Sequence, residues 1–422
     1  MEHRSDHTGG DTGRDTIVHR FRARVAEQPA RTALRYHEGG SWRSLSWREY
    51  GAAVDEVAAG LMALGVAPGD RVAVLAANCP EWQIVDLAVL SAGAISVPIY
   101  PTSSSSQVAY VLMQSGSRLC FVEDAEQLAK VLLHLEELPG VERFVTLREA
   151  AGFDRPDRVL PLDDLRSLGA ADGVAEQAGA VAREDVATLV YTSGTTGPPK
   201  GAQITHGNIV WTIDAVERMI GLRATDRMLS YLPLSHIAER VTSHFGMLAA
   251  GGETWFARSM ATVPEDLRAC RPTIFLGVPR VWQKLHDAIL EQLDDGPIPL
   301  GSVLDRAATV EPDVGRARWS IGAVVDRTTR LVIDRTLGWA VRRRTGLDRA
   351  RLLVSAAAPI HPDLVRWFHG IGLPIAEVYG QTEDCGPATI NPPDAIRIGS
   401  VGLPIPGLEI RTADDDELLV RG

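Results

Sequence analysis

The sequence predicts an α/β protein of two sheet-and-helix subdomains, and three observations carry that expectation. Short apolar runs alternate with helical stretches from residue 46 to about 147, the pattern of βαβ units and largely parallel sheet. The alternation fades between 148 and 185, where Asp, Gly and Ala dominate, and then resumes to the end of the chain. A length of 422 residues, 45% apolar and 23% charged, fits two or three compact units of ordinary globular composition.

The elements follow in order. Residues 1–15 are polar and read as a frayed, disordered end. Ser46 and Glu49 have capping-box spacing, and Tyr50, Val54, Val57, Leu61 and Leu64 fall on one helical stripe behind them. Gly65 and the turn Ala67-Pro68-Gly69 stop that helix. Strands are expected over 71–76, 94–99, 119–122 and 143–147, with helices over 80–90, 107–115 and 125–135. Residues 148–185 read as a connection, so that 16–185 forms the first subdomain and 186–397 the second. In the second, strands are expected over 187–191, 228–231, 273–276, 352–355 and 374–378. Helices are expected over 206–220, 236–250 and 279–293. Residues 408–411 and 417–420 look like a terminal β pair.

Composition excludes several classes of function. The formal net charge of −11 is a poor match for nucleic acid. Cys79, Cys120, Cys270 and Cys385 stand far apart, which excludes a zinc ribbon and fits a reducing compartment. The first residues hold no apolar segment of a secretory signal, and the stretch Leu87–Tyr100 is too short to cross a bilayer. The expected location is cytoplasmic. Against the overall charge, residues 316–351 carry ten arginines and three aspartates. That segment reads either as a solvated helix face or as a peripheral contact with an anionic membrane at its inner face.

Two segments carry the strongest chemical signal. In Tyr191-Thr192-Ser193-Gly194-Thr195-Thr196-Gly197-Pro198-Pro199-Lys200-Gly201 a strand runs into small residues and hydroxyls and ends at a lysine. Glycines allow close backbone approach, hydroxyls add donors, and Lys200 adds positive charge, a set suited to polyphosphate oxygens. Two prolines separate Gly197 from Lys200, so this is not a Walker A loop. In Glu377-Val378-Tyr379-Gly380-Gln381-Thr382-Glu383 a polar cluster lies at the carboxyl end of a strand, where ligands bind in open parallel sheets.

Both segments resemble the signatures of the acyl-adenylate-forming (AMP-binding) superfamily, over residues 15–422. Tyr231–Arg240 resembles its second core motif, Val278–Lys284 is similar to the long-chain and very-long-chain (bubblegum-like) fatty acyl-CoA synthetases, and Ser355–Pro359 resembles the segment along the adenine. The resemblance implies ATP, Mg²⁺ and coenzyme A as co-substrate. It implies phosphate binding by Thr192, Ser193, Gly194, Thr195, Thr196, Gly197 and Lys200. Ala357, Ala358 and Pro359 would lie along the base, with Tyr379 stacked on it and Gly380 and Gln381 beside it, and Thr382 would contact the phosphate. Thr195 and Glu383 would hold the metal, and His236 would meet the acyl carboxylate or line its pocket. His236, Glu383, Lys200 and Thr195 are therefore the catalytic candidates. The implied fold adds a distorted β-barrel beside two stacked subdomains, with 398–422 as its start.

The implied activity is long-chain fatty acid–CoA ligation through an acyl-adenylate. A ligase for an aryl or medium-chain acid, and a non-catalytic acyl or nucleotide binder, are the alternatives. Family members continue beyond the position of Gly422 into a mobile C-terminal domain with a catalytic lysine. These 422 residues are therefore expected to bind ligands and to turn over poorly.

Overall fold

The computed structural model describes residues 15–148, 157–192, 197–294 and 338–422. The chain divides into two compact units, Met1–Asp214 with Ser230–Phe256, and Ala215–Leu229 with Ala257–Gly422.

The first unit opens with α1 (Ile17–Glu27), β1 (Thr32–Glu38), β2 (Ser41–Ser46) and α2 (Trp47–Ala63). Ser46 Oγ accepts from the Glu49 amide while Glu49 accepts from the Ser46 amide at 2.7 Å, so the expected capping box forms. A βα alternation follows: β3 (Arg71–Leu75), α3 (Pro80–Ser91), β4 (Ile95–Ile99), α4 (Ser105–Ser115), β5 (Leu119–Val122), α5 (Ala125–Leu132) and β6 (Arg143–Thr146). Strands β3–β6 pair in parallel. Both faces are covered, and β3 is buried from Val72 to Leu75, as a parallel strand between two helical layers must be.

Residues 157–185 are more than a connection. They hold β7 (Val159–Pro161), α6 (Leu162–Arg166) and α7 (Val174–Ala180). These elements are too short to show a period in the sequence, yet Leu162, Leu165, Val174 and Ala178 are buried. Helix α2 meets α6 at a glycine: a Cβ on Gly60 would stand 2.2 Å from the Leu165 carbonyl oxygen.

The expected subdomain change at 185/186 is also displaced. β8 (Val186–Thr192) joins the first unit's sheet in parallel with β4, and β9 (Lys200–Thr205) pairs with β8 as an antiparallel hairpin. The sheet has seven strands in the order β7-β6-β5-β3-β4-β8-β9. After α8 (His206–Ile220) and β10 (Arg227–Ser230), the chain returns to the first unit, where β11 (Glu253–Phe256) pairs in parallel with β1. The single helix expected over 236–250 is an α-turn at Ile237–Glu239, a π-helix over Arg240–Gly246 and an α-turn at Met247–Ala250.

The second unit is built on β12 (Ile274–Gly277), β13 (Leu352–Ser355), β14 (Ile375–Gln381), β15 (Gly386–Ile390) and β16 (Leu403–Pro404). The first three are parallel and the last two antiparallel. Trp282 in the helix Pro279–Asp294 is fully buried and donates from Nε1 to the Gly277 carbonyl at 3.1 Å. The terminal pair β17 (Glu409–Thr412) and β18 (Leu418–Arg421) forms as expected. Among the described residues this pair is a two-stranded sheet of its own, not part of a closed barrel.

Candidate active site

Two groups of expected residues gather at the carboxyl ends of strands, one group in each unit. In the first unit, the β8–β9 hairpin places Thr192 opposite Lys200 and Tyr191 opposite Gly201. Ser193, Gly194, Thr195 and Thr196 lie outside the described residues. The base of the hairpin is braced from α4. Tyr110 Oη donates to the Pro199 carbonyl at 3.0 Å, and Tyr191 Oη donates to Gln114 Oε1. Gly197 has φ +95°, a left-handed conformation suited to glycine. Gly197 and Lys200 are exposed.

His236 caps the turn Ile237–Glu239: its Nδ1 accepts from the Ala238 amide at 3.1 Å. The neutral ring therefore carries its proton on Nε2. Burial holds its pKa below the usual histidine value, so the ring is uncharged near neutral pH. The motif around it is fixed by residues that sequence reasoning missed. Asn78, just before α3, bonds Ser230 Oγ, the Leu232 carbonyl and the Leu234 amide at 2.9, 2.6 and 2.9 Å. Asp86 on α3 pairs with Arg240, and His244 Nε2 lies 3.1 Å from its other oxygen. Arg240 also donates to Thr188 Oγ1 at 2.5 Å. Glu239 is buried and accepts from Ser243 Oγ at 2.7 Å; burial pushes its pKa up to about 7.

In the second unit, sheet register brings the other residues together. Gly277 on β12 faces Ser355 on β13, and Ser355 faces Glu377 on β14. The turn Ala357, Ala358 and Pro359 leaves β13 exposed, and Ala357 has φ +71°. A non-glycine residue held there costs about 1–3 kcal/mol, a strain concentrated at functional sites. Strand β14 is longer than expected, so Tyr379, Gly380 and Gln381 are strand residues, with a bulge between Tyr379 and Gly380. Thr382 and Glu383 open the 3₁₀ turn Thr382–Asp384. Tyr379 and Thr382 are half-buried, and Glu383 is exposed. Ser355 Oγ and Asp384 Oδ2 are buried without a hydrogen-bond partner among the described residues. Polar groups of a ligand at this strand end would meet such oxygens.

A family model described as "AMP-binding enzyme" matches residues 21–422. The chain belongs to the AMP-binding enzyme family. This family member is 32% identical to the long-chain-fatty-acid–CoA ligase ACSBG2 of Xenopus laevis, over 95% of this chain and 55% of that protein. It is 34% identical to the long-chain-fatty-acid–CoA ligase FadD15 of Mycobacterium bovis, over 91% of this chain and 63% of that protein. It thus spans little more than half to about three-fifths of the length of these relatives. Its fold is that of the anthranilate CoA ligase AuaEII solved with anthranoyl-AMP, with a TM-score of 0.73 at 22% identity, covering 96% of this chain and 67% of that one.

Within this family member, the expected residues Ala357, Ala358, Pro359, Tyr379, Gly380, Gln381, Thr382 and Glu383 share one sheet end. Thr192, Gly197 and Lys200 share one hairpin. His236 stands on a third segment, anchored to α3. Asn78 had one signal in the sequence: a polar residue between a buried strand and a proline-started helix, at the strand end where ligands gather.

Proposed function

We propose that this chain is the adenylate-forming part of a long-chain fatty acid–CoA ligase. The carboxylate would attack the α-phosphorus of ATP, expelling pyrophosphate; coenzyme A thiolate would then displace AMP to give the thioester. The observation that carries the reading is the shared strand end of the second unit. A small-residue turn, a half-buried tyrosine, a threonine and an exposed carboxylate meet there beside unsatisfied buried oxygens. The long-chain fatty acid as substrate is supported by the names of the two curated relatives.

In this reading Thr192, Ser193, Gly194, Thr195, Thr196, Gly197 and Lys200 bind phosphate. Tyr379 stacks on adenine, and the neutral His236 lies against the acyl carboxylate without adding charge. Chemistry of this kind depends on positioning and on groups that meet developing charge. Glu383 fits a magnesium ion: its carboxylate is exposed, and magnesium takes hard oxygens while sharing substrate phosphates. Thr195 is the second protein group proposed for the ion. Bound there, magnesium would offset phosphate charge.

Thermal unfolding with non-hydrolysable acyl-adenylate analogues tests the reading. A long-chain analogue at about 100 times its Kd should add about 2.7 kcal/mol. For 422 residues that raises Tm by about 3 °C. No rise with any analogue would refute the site, and a rise confined to an aryl analogue would refute the substrate class.

We further propose that part of the basic segment 316–351 contacts anionic membrane. Residues 316–337 lie outside the described residues. Among the others, Arg342 is committed to the fold, donating to the Ile371 carbonyl at 2.8 Å. Trp339 is 54% exposed with Arg343 stacked over it at 5.8 Å, and Arg344 is exposed. Aromatic rings with adjacent cations suit a membrane–water boundary. Among the described residues no helix is long and apolar enough to cross the membrane. Arg343→Glu with Arg344→Glu should weaken sedimentation with phosphatidylserine vesicles at least severalfold. Unchanged sedimentation would rule the contact out.

A further inference from the structure

We propose that Asn78 is a positioning residue for His236, fixing through its carboxamide the backbone that carries the imidazole. The proposal rests on the reading of His236 as the group that meets the acyl carboxylate. The span between β10 and the turn at Ile237 is irregular, and Asn78 holds it at three points. Nδ2 donates to Ser230 Oγ at 2.9 Å and to the Leu232 carbonyl at 2.6 Å, while Oδ1 accepts from the Leu234 amide at 2.9 Å. Both ends of the amide are thus committed to the five residues Ser230–Leu234. From there one turn leads to the histidine, the His236 amide donating to the Pro233 carbonyl at 2.8 Å.

The other side of His236 is anchored to the same part of the chain. The Arg240 amide donates to the His236 carbonyl at 3.1 Å, and the Arg240 side chain is paired with Asp86 of α3. The histidine therefore hangs between two anchors, one just before α3 and one in its middle. A buried ion pair contributes little net stability but can enforce one geometry. The π-helix that begins at Arg240 is a rare form found mostly at functional sites. A catalytic group displaced by about 1 Å can cost about a hundredfold in rate, so such anchoring bears on function as well as on the fold.

The test uses the 422-residue chain and two readouts: the ring ¹⁵N shifts of His236 and the affinity for a long-chain acyl-adenylate analogue. In the native chain the shifts should report one tautomer, protonated on Nε2. In Asn78→Ala they should move toward a mixture of tautomers, and analogue affinity should fall about tenfold. In the His236→Ala background Asn78→Ala should cost no further affinity, because the two act as one unit. Val131→Ala, in the core of the same unit, controls for lost stability and should leave the ring shifts unchanged. Should Asn78→Ala fail to fold, Asn78→Asp keeps an acceptor for Leu234 and removes the two donations, and should shift the ring in the same direction. Unchanged ring shifts, or equal affinity losses with and without His236, would overturn the proposal. If His236→Ala alone leaves affinity unchanged, the reading of His236 fails, and the ring shifts still decide the role of Asn78.

Discussion

Arg240→Leu is expected to destabilise the chain by about 3–5 kcal/mol, because it strands a buried carboxylate. Arg240 and Asp86 are both 0% exposed. The guanidinium pairs with Asp86, donates to Thr188 Oγ1 at 2.5 Å, and lies over Trp82 and Phe245 at 5.5 and 5.1 Å from their ring centres. Burial alone would push the Asp86 pKa up; Arg240 and His244 overcome that and hold it below the usual aspartate value. Its ion-pair stabilisation is therefore present above an unfolded-state pKa of about 3.9 and is lost as pH falls through the lower folded value. Without Arg240, burial prevails and the folded pKa rises above the unfolded one. Stability in the variant is then lost as pH rises from about 3.9 through the raised value. The difference between native and variant chains should accordingly be small near pH 4 and widen toward pH 7.5. Urea unfolding at the two pH values measures it, and an equal difference at both would sink the argument. Arg240→Met with Asp86→Leu should recover most of the loss, since an apolar pair of similar volume avoids desolvating charge.

How much of this was legible in the sequence depended on how local the cause was. The capping box at Ser46 and Glu49, the proline-started α3 and the β17–β18 pair are set by residues within a few positions of each other, and each was expected. Helix α8 runs over His206–Ile220 as expected because its apolar stripe spans four turns. The elements β7, α6 and α7 escaped because each is shorter than the window in which a period appears, and their burial depends on α2 and α3. The division between units was misplaced because a polar, weakly periodic stretch looks like a boundary, whereas β8 finds its parallel partner in β4, some ninety residues back. At the proposed site, residue types made Lys200, Tyr379 and Glu383 candidates. The supports were harder to see: beyond the place of Asn78 at a strand end, nothing local links Asn78 to Leu234, 156 positions apart, or Asp86 to Arg240, 154 apart. An ordinary α-helical pattern likewise hides the π-helix, which only the packing of Arg240 and His244 against α3 reveals. The positive φ of Ala357 was equally invisible, because alanine gives no hint of a conformation that normally selects glycine.

Gly380→Ala is the second substitution with a large expected effect, and it acts at the nucleotide side of the proposed site. A Cβ on Gly380 would stand 1.8 Å from the Gly386 carbonyl oxygen and 2.8 Å from Pro387 Cα. Both obstacles are backbone of the adjacent strand β15, so no side-chain rotation relieves the overlap. The strand would have to move away just where the β14–β15 register shifts. Overpacking commonly costs 1–3 kcal/mol, and a rigid backbone obstacle places this case at about 3 kcal/mol or more. Tyr379, Gln381 and Thr382 are carried on the same backbone, so displacement of β14 should reduce acyl-adenylate analogue affinity at least tenfold. Gly179→Ala supplies the contrast. Gly179 lies in α7, and a Cβ there meets nothing within 4 Å. That substitution should raise stability by about 0.5–1 kcal/mol through the helix propensity of alanine and leave analogue binding unchanged. Thermal unfolding and analogue titration of the two variants separate the general cost of a methyl group from the cost of this position. Native-like affinity in Gly380→Ala would mean that the close contact between β14 and β15 does not shape the adenine side of the site.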